Sequence, residues 1–202
     1  MRQIMVVRRK TLFAEKSFNG FLPADTFDFE SVILSNFEWM KKDMAENNPD
    51  YKQPIGYSII YDPTRKQVFL YQRSKIDQHY AEKRLQGKWS CGVGGHIEKI
   101  DVENGNPIYE SLLREIQEEI KILGKRRMQV LGYINDDSDD VGKVHFCILY
   151  LVIIDGDKVE PLDPEISEGK LVPLSVLEDK CNDMNVVVEN WSKIALGPLK
   201  NV

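Results

Sequence analysis

Cysteine is scarce: Cys91, Cys147 and Cys181 are the three in 202 residues, an odd number with no C-x-x-C spacing. That argues against a disulfide framework and against a structural zinc site, and it fits a reducing compartment. Long apolar runs are missing as well. The longest, Phe146 to Ile154, is about half of what a membrane-spanning helix requires, and the amino terminus has too short an apolar stretch for a secretory signal. A cytoplasmic protein with no membrane partner is expected. There is no excess of basic residues either. With 27 Lys+Arg against 32 Asp+Glu the formal charge is -5, so non-specific attraction to nucleic acid is not the default and the expected partner is a small molecule. Repeats, low-complexity tracts and long linkers are absent, which points to one domain over 1–202 with 1–50 as an N-terminal extension packed on it.

What is present is the composition of an ordinary globular chain, long enough to bury roughly 70% of its unfolded surface without staples. Residues 3 to 8 read as a short strand. Phe29, Val32, Ile33, Phe37, Met40 and Met44 recur at helical spacing after Asp28, a candidate N-cap, and predict one amphipathic helix. Ile55 to Tyr61 and Gln67 to Gln72 are β-rich runs around Asp62-Pro63-Thr64-Arg65-Lys66, the pattern of a hairpin. Met128 to Ile134 and Lys143 to Ile154 read as strands around an acidic turn containing Asp136, Asp137, Asp139 and Asp140. The second is apolar throughout near its end, as in a central strand covered on both faces. Short helices are expected near Ser175 to Asp179 and over Val186 to Ile194.

The chemistry gathers between 87 and 123. Gly87, Gly92, Gly94 and Gly95 fall within nine residues, which permits a sharp bend and a close approach of bare backbone to a ligand. A helix is then predicted from Asn106 to Leu123, with Asn106 as cap, Pro107 at its first position and Gly124 as stop. On a 100° projection Ile108, Tyr109, Leu112, Leu113, Ile116, Ile120 and Leu123 form an apolar arc. Glu119 falls inside that arc, and Glu115 and Glu118 lie beside it. Like charges so placed repel, and partial burial adds to the cost of ionising them, unless a cation joins them. A solvated acidic face paired with Arg114 and Lys121 is the plain alternative for such a string; the glycine bend ahead of it favours a site, because a backbone carbonyl is a good ligand for Mg²⁺.

Gly94-Gly95-His96-Ile97-Glu98, Gly105 and Arg114-Glu115-Ile116-Gln117-Glu118-Glu119 together resemble the signature box of the Nudix hydrolases, and Val141 to His145 with the strand after it looks most like a MutT-like phosphoesterase branch. The chain departs from the box in three places. Asn106 stands where its first glutamate belongs, Ile100 to Asn104 reads as an insertion, and Lys121 replaces its last glycine, while counting from Gly95 puts Asp101 at the acidic position. The resemblance implies a Nudix α/β/α sandwich around a mixed β-sheet and Mg²⁺ or Mn²⁺ as cofactor. It implies Gly94, Glu115, Glu118 and Glu119 as metal ligands, Arg114 as their orienting partner and Glu115 as a candidate general base. Glu165, Glu168 and the Asp136 to Asp140 group are the other acids available as base. Arg73 and His96 are candidate contacts for substrate phosphate.

The implied activity is metal-dependent cleavage of a diphosphate bond in a nucleoside-diphosphate-linked or similar small pyrophosphate substrate. The alternative of another class is a Nudix-like sensor that binds such a ligand without turnover, although no helix-turn-helix is evident. An isomerase of the same superfamily has a cysteine directly before Gly-His; Cys91 lies three residues before Gly94, which favours hydrolysis. Trp89, Tyr57 and Tyr71 are candidates to stack on a base, His145 reads as a core or edge residue, His79 has no assigned role, and Lys125-Arg126-Arg127 reads as a charge match to a helix C-terminus. Monomer and homodimer are both compatible with the sequence.

Overall fold

The computed structural model describes residues 2–74, 83–103, 105–156 and 158–202; His79 and Asn104 lie outside them. In chain order the elements are β1 (Gln3–Arg8), α1 (Arg9–Leu12), β2 (Gly20–Pro23), α2 (Phe29–Asn36), β3 (Phe37–Lys41), α3 (Lys42–Ala45), β4 (Tyr51–Asp62) and β5 (Gln67–Arg73). There follow β6 (Trp89–Ser90), β7 (Gly92–Val93), α4 (Pro107–Glu119), β8 (Ile120–Ile122), β9 (Arg126–Asn135), β10 (His145–Ile154), β11 (Val159–Pro161), β12 (Ile166–Pro173), α5 (Leu174–Asn182) and α6 (Asn190–Leu199). Among the described residues ten strands form one mixed sheet, and β8 and β11 form a separate ribbon. The α/β class is the one expected. Contacts divide the chain into two compact units, one of Met1–Tyr57, Gly94–Arg114 and Val130–Tyr150, the other of Ser58–Val93, Glu115–Gln129 and Leu151–Val202.

In the first unit the strands run in the order β4-β10-β9-β2, with β1 pairing to β4 and β3 to β1. Every residue of β4 from Lys52 onward is buried, as is nearly all of β10, the burial pattern of strands covered on both faces. Phe13, Phe18, Phe29 and Phe146 meet edge-on or tilted, Phe29 and Phe146 at 5.2 Å between ring centres, a packing favoured by the ring quadrupoles. Asp28 caps α2 as expected, its Oδ1 accepting the Ser31 amide at 3.0 Å. The single helix predicted over Phe29 to Met44 does not form, however. Residues 37–41 also read as alternating, and β1 offers them a complete antiparallel partner from Val7↔Phe37 to Gln3↔Lys41; ladder pairing outweighs helical periodicity, and the helix ends at Asn36.

One buried cation shapes the turn between β9 and β10. Lys52, fully buried, gives its three N–H groups to Asp137 Oδ1 (2.8 Å), the Gly142 carbonyl (2.7 Å) and the His145 carbonyl (3.1 Å). Arg9 pairs with the same Asp137 carboxylate. Burial by itself would raise the pKa of Asp137, but the hydrogen bonds from Arg9 and Lys52 hold it down at about 2. Gly142 completes the turn: a Cβ there would stand 1.8 Å from the Asp136 carbonyl oxygen.

In the second unit the order is β12-β5-β4, with β6 on β5 and β7 on β4. The predicted hairpin is present, with Tyr61 opposite Val68 and Asp62 opposite Gln67. Asp62 Oδ1 holds the turn through the amides of Thr64 and Arg65, at 2.9 and 3.1 Å. The last two predicted helices form as α5, longer than expected, and as α6, which starts four residues later than the Val186 onset. Asn106 caps α4 through the Ile108 amide at 3.0 Å, but α4 stops at Glu119, four residues before the predicted Leu123. Ile120-Lys121-Ile122 instead pair with Val159, Glu160 and Pro161, two β-branched residues taking a strand partner. Ile120 and Leu123 therefore leave the helical arc, and Lys125-Arg126-Arg127 lies at the entry of β9, not at a helix end.

Replacing Lys52 by Met leaves two buried carbonyls without their donor and is expected to cost about 3 kcal/mol by urea unfolding at pH 7. A depressed carboxylate contributes stability above its unfolded pKa of about 3.9 and loses it as pH falls toward 2. The deficit of Lys52→Met relative to wild type should accordingly shrink below pH 4; a deficit independent of pH would separate Asp137 from it.

Candidate functional site

In the first unit the diglycine loop is held against strand and helix by close backbone approach and by one arginine. A Cβ at Gly94 would stand 2.1 Å from the Gly56 carbonyl oxygen, and one at Gly56 would meet Leu112 at 3.3 Å. Two positions without side chains thus let loop, β4 and α4 stack closely. His96 then bridges to Ile55, and the Met5 amide bonds the Ile97 carbonyl at 2.8 Å. Arg114 donates to both oxygens of Asp101, at 2.9 and 3.0 Å, and to the His96 carbonyl at 3.0 Å. Asp101 also accepts the Glu98 amide at 2.7 Å and closes a 3-10 turn over Lys99–Val102. The acid counted from Gly95 is therefore the one that Arg114 grips, while Asn106 serves as helix cap.

In the second unit Glu115 is buried, Glu119 half-buried and Glu118 exposed. The helix end explains what surrounds Glu119. Its carbonyl, freed by the end of α4, accepts the amides of Leu162 and Asp163 at 2.9 and 3.2 Å, which draws the Asp163 carboxylate near. Burial raises the pKa of Glu119 to about 8; the positive charge of Arg73 opposes the rise, while Glu115, Asp163 and Glu189 add to it. Arg73 is itself paired with Glu189 and lies over the Tyr71 ring, 5.5 Å from its centre. Glu189 is 6% exposed, and its other oxygen accepts the Ser90 hydroxyl at 2.9 Å. Sequence reasoning did not single out Asp163 or Glu189 for this site. Asp163 belongs to no motif and Glu189 fell inside the helix predicted over Val186 to Ile194 with nothing to mark it, and only the strand pairings that return 161–163 and 188–189 to this unit reveal them.

Other candidates are placed as clearly. His96 turns its ring toward Gln53, Glu46 and His145, and burial lowers its pKa. Tyr71 is buried and donates its hydroxyl to the Gly92 carbonyl at 2.7 Å, which makes it a core residue. Trp89 is covered by Lys180 Nζ, 3.5 Å from its ring centre. Cys91 is fully buried and its thiol is pushed up to about 12, so it offers neither thiolate nor acid for an isomerase at neutral pH. Glu165 gives its carbonyl to the Ser74 amide, and Asp136 to Asp140 belong to the turn around Lys52.

The oxygen donors of α4 suit a hard divalent cation such as Mg²⁺ or Mn²⁺, which takes carboxylate and water ligands. Glu119 supplies the test of fit. Its carboxyl is raised by burial and, further, by the charges of Glu115, Asp163 and Glu189, and a bound cation would favour the charged form that these disfavour.

A sequence model of the NUDIX domain matches residues 52–191. Protein YmaB of Bacillus subtilis (strain 168) is 34% identical over 209 aligned residues that take in 98% of this chain and 97% of YmaB. The crystal structure of Tm1382 superposes with a TM-score of 0.79 at 27% identity and covers 98% of each chain. The Nudix domain of NrtR from Shewanella oneidensis, crystallised with ADP ribose, shares the fold at a TM-score of 0.55 and 16% identity, over 81% of this chain and 100% of that one. The matched stretch contains the diglycine loop, Arg114, Glu115, Glu118 and Glu119, and the chain accordingly belongs to the Nudix family, as a pyrophosphohydrolase.

Proposed function

We propose that this pyrophosphohydrolase cleaves the diphosphate linkage of a nucleoside-diphosphate-linked or similar small substrate in the cytoplasm, with Mg²⁺ or Mn²⁺ held by Glu115, Glu118 and Glu119. What carries the reading is the gathering of Glu115, Glu118 and Glu119 on one helix, with the Asp163 amide bonded to the Glu119 carbonyl and the Arg73–Glu189 pair acting on the same carboxyl, whose pKa burial raises. Burying negative charge in this way weakens a fold, and perturbed groups of this kind concentrate where chemistry is done. When bound, the ion supplies charge neutralisation for the phosphate oxygens and a water acidified for attack.

The chain's own residues divide the remaining work. Glu115, buried one turn before Glu119, is the candidate base that receives the proton of the attacking water. Arg73 brings positive charge to the same acids and is steadied by Glu189, so a phosphate meeting the acids also meets a guanidinium. Arg114 is a positioning residue: by holding Asp101 and the His96 carbonyl it fixes the diglycine loop ahead of the helix. The ADP ribose in the NrtR Nudix domain supports a dinucleotide-like or nucleoside-diphosphate-linked substrate.

Product release is the direct test. The protein is incubated with ADP-ribose, NADH, nucleotide sugars, dinucleoside polyphosphates and nucleoside triphosphates, with Mg²⁺, with Mn²⁺ and with EDTA. Metal-dependent release of a nucleoside monophosphate or phosphate from one class is expected; tight binding with no release under any condition makes the protein a sensor instead. Glu119→Gln is expected to lower turnover at least about a hundredfold and to raise thermal stability in EDTA. A raised carboxyl gives stability below its unfolded pKa of about 4.3 and withdraws it as pH climbs through 8. The stability gain of Glu119→Gln should therefore widen from pH 5 to pH 8; equal melting of the two proteins at pH 8 would count against the buried charge.

A further inference from the structure

Apart from the acids of α4, the first unit gathers ligating side chains from four separate stretches of chain. Glu46 follows α3, Gln53 lies on β4, His96 follows the paired glycines, and His145 opens β10. His145 Nε2 is 3.3 Å from His96 Nε2 and 3.8 Å from Glu46 Oε1. His96 Nε2 is 3.4 Å from Glu46 Oε1 and 2.7 Å from Gln53 Oε1. Among the described residues no other three His, Cys, Asp or Glu side chains bring ligand atoms within 4.8 Å of one another.

Two observations point to a cation at the centre. His145 Nδ1 lies 2.7 Å from the Val141 carbonyl oxygen, a contact that only an N–H makes favourably. A ring proton on Nδ1 meets that carbonyl, and in the neutral ring Nε2 then turns a lone pair inward, the arrangement of a metal-bound imidazole steadied from behind by a carbonyl. Gln53 is fully buried and points its amide oxygen at His96, while its amide nitrogen has no hydrogen-bond partner. The inward-facing atoms are then two imidazole nitrogens and two side-chain oxygens, and a proton on His96 Nε2 can serve only one of the others.

The spacing is that of a particular class of ion. Ligands about 2.0–2.1 Å from a tetrahedral Zn²⁺ stand about 3.3–3.4 Å from one another. Two of the three separations within the triad have that value, and a small turn of the Glu46 carboxylate brings in the third. The cluster is also shielded, with side-chain exposures of 13% for His96, 8% for His145 and 15% for Glu46. We propose that Glu46, His96 and His145 bind a divalent transition ion of the Zn²⁺ class at a site separate from the Mg²⁺ or Mn²⁺ site on α4, His96 Nε2 giving up its 2.7 Å hydrogen bond to Gln53 when the ion enters. Imidazole nitrogen selects such an ion over Mg²⁺. Bound there, it ties the segment after α3 to the loop that follows the paired glycines, the loop whose carbonyl Arg114 holds.

The test reads metal uptake without turnover, so it succeeds or fails independently of the hydrolase reading. Full-length protein stripped of metal is titrated with Zn²⁺ against a chromophoric chelator in a large excess of Mg²⁺. One Zn²⁺ per chain is expected, with a rise in thermal midpoint, unchanged in Glu119→Gln and weakened at least about tenfold in Glu46→Gln and His145→Gln. No uptake under Mg²⁺, or uptake equal in wild type and Glu46→Gln, overturns the proposal. Should the histidine variants not fold, Co²⁺ bound to the wild-type chain decides: the intense visible bands of a four-coordinate nitrogen and oxygen site support the proposal, and the weak bands of six-coordinate Co²⁺ overturn it.

Discussion

Arg114 sits on the helix that carries the acids, yet its guanidinium serves the loop before that helix. Its two bonds to Asp101 and one to the His96 carbonyl set the path from the paired glycines to the helix start. Asp101, 4% exposed, needs that partner, because a carboxylate taken from water without a cation is costly. The same pair aligns the Glu98 amide and, through the strand bridge at His96, fixes how that ring is presented to Gln53, Glu46 and His145. Were this pair absent, loop, cap and imidazole would each need another support.

Charge is handled in opposite ways at two places in the molecule. Around Lys52 every charge has its answer: three acceptors for one ammonium, two cations for Asp137. Around Glu119 the neighbouring charges of Glu115, Asp163 and Glu189 add to the effect of burial and Arg73, itself paired with Glu189, opposes it. The first arrangement is what a chain does to hold a turn in place, and the second is the one on which the proposed metal site rests. The contrast separates scaffold from site more sharply than burial does, since both groups are withdrawn from water.

The sequence was most legible where one local signal governed. The hairpin turn held by Asp62, the cap at Asn106, the strand pattern of β10 and the string Arg114 to Glu119 were readable because the residues that make each feature are neighbours. It was misleading where a distant partner decided. Residues 37–41 carry a helical rhythm as well as an alternating one, and only the presence of β1 selects the strand. Ile120 and Leu123 complete a helical arc until β11 offers Ile120 and Ile122 a ladder. Asp163 and Glu189 were invisible for the same reason, and so was the grouping of Glu46, Gln53 and His145 around His96, drawn from positions nearly a hundred residues apart. Asp101 was the intermediate case: its spacing from Gly95 was countable, but its grip on Arg114 had to be seen.

The way Asp163 arrives beside Glu119 bears on how the family member can diverge. Its amide is anchored to the Glu119 carbonyl, so the backbone at 163 stays in place whatever side chain it carries. Exchanging that side chain for a neutral one would take away one of the negative charges that raise the pKa of Glu119 while leaving the backbone anchor intact, so position 163 can change the acidity of its neighbour without rerouting the chain.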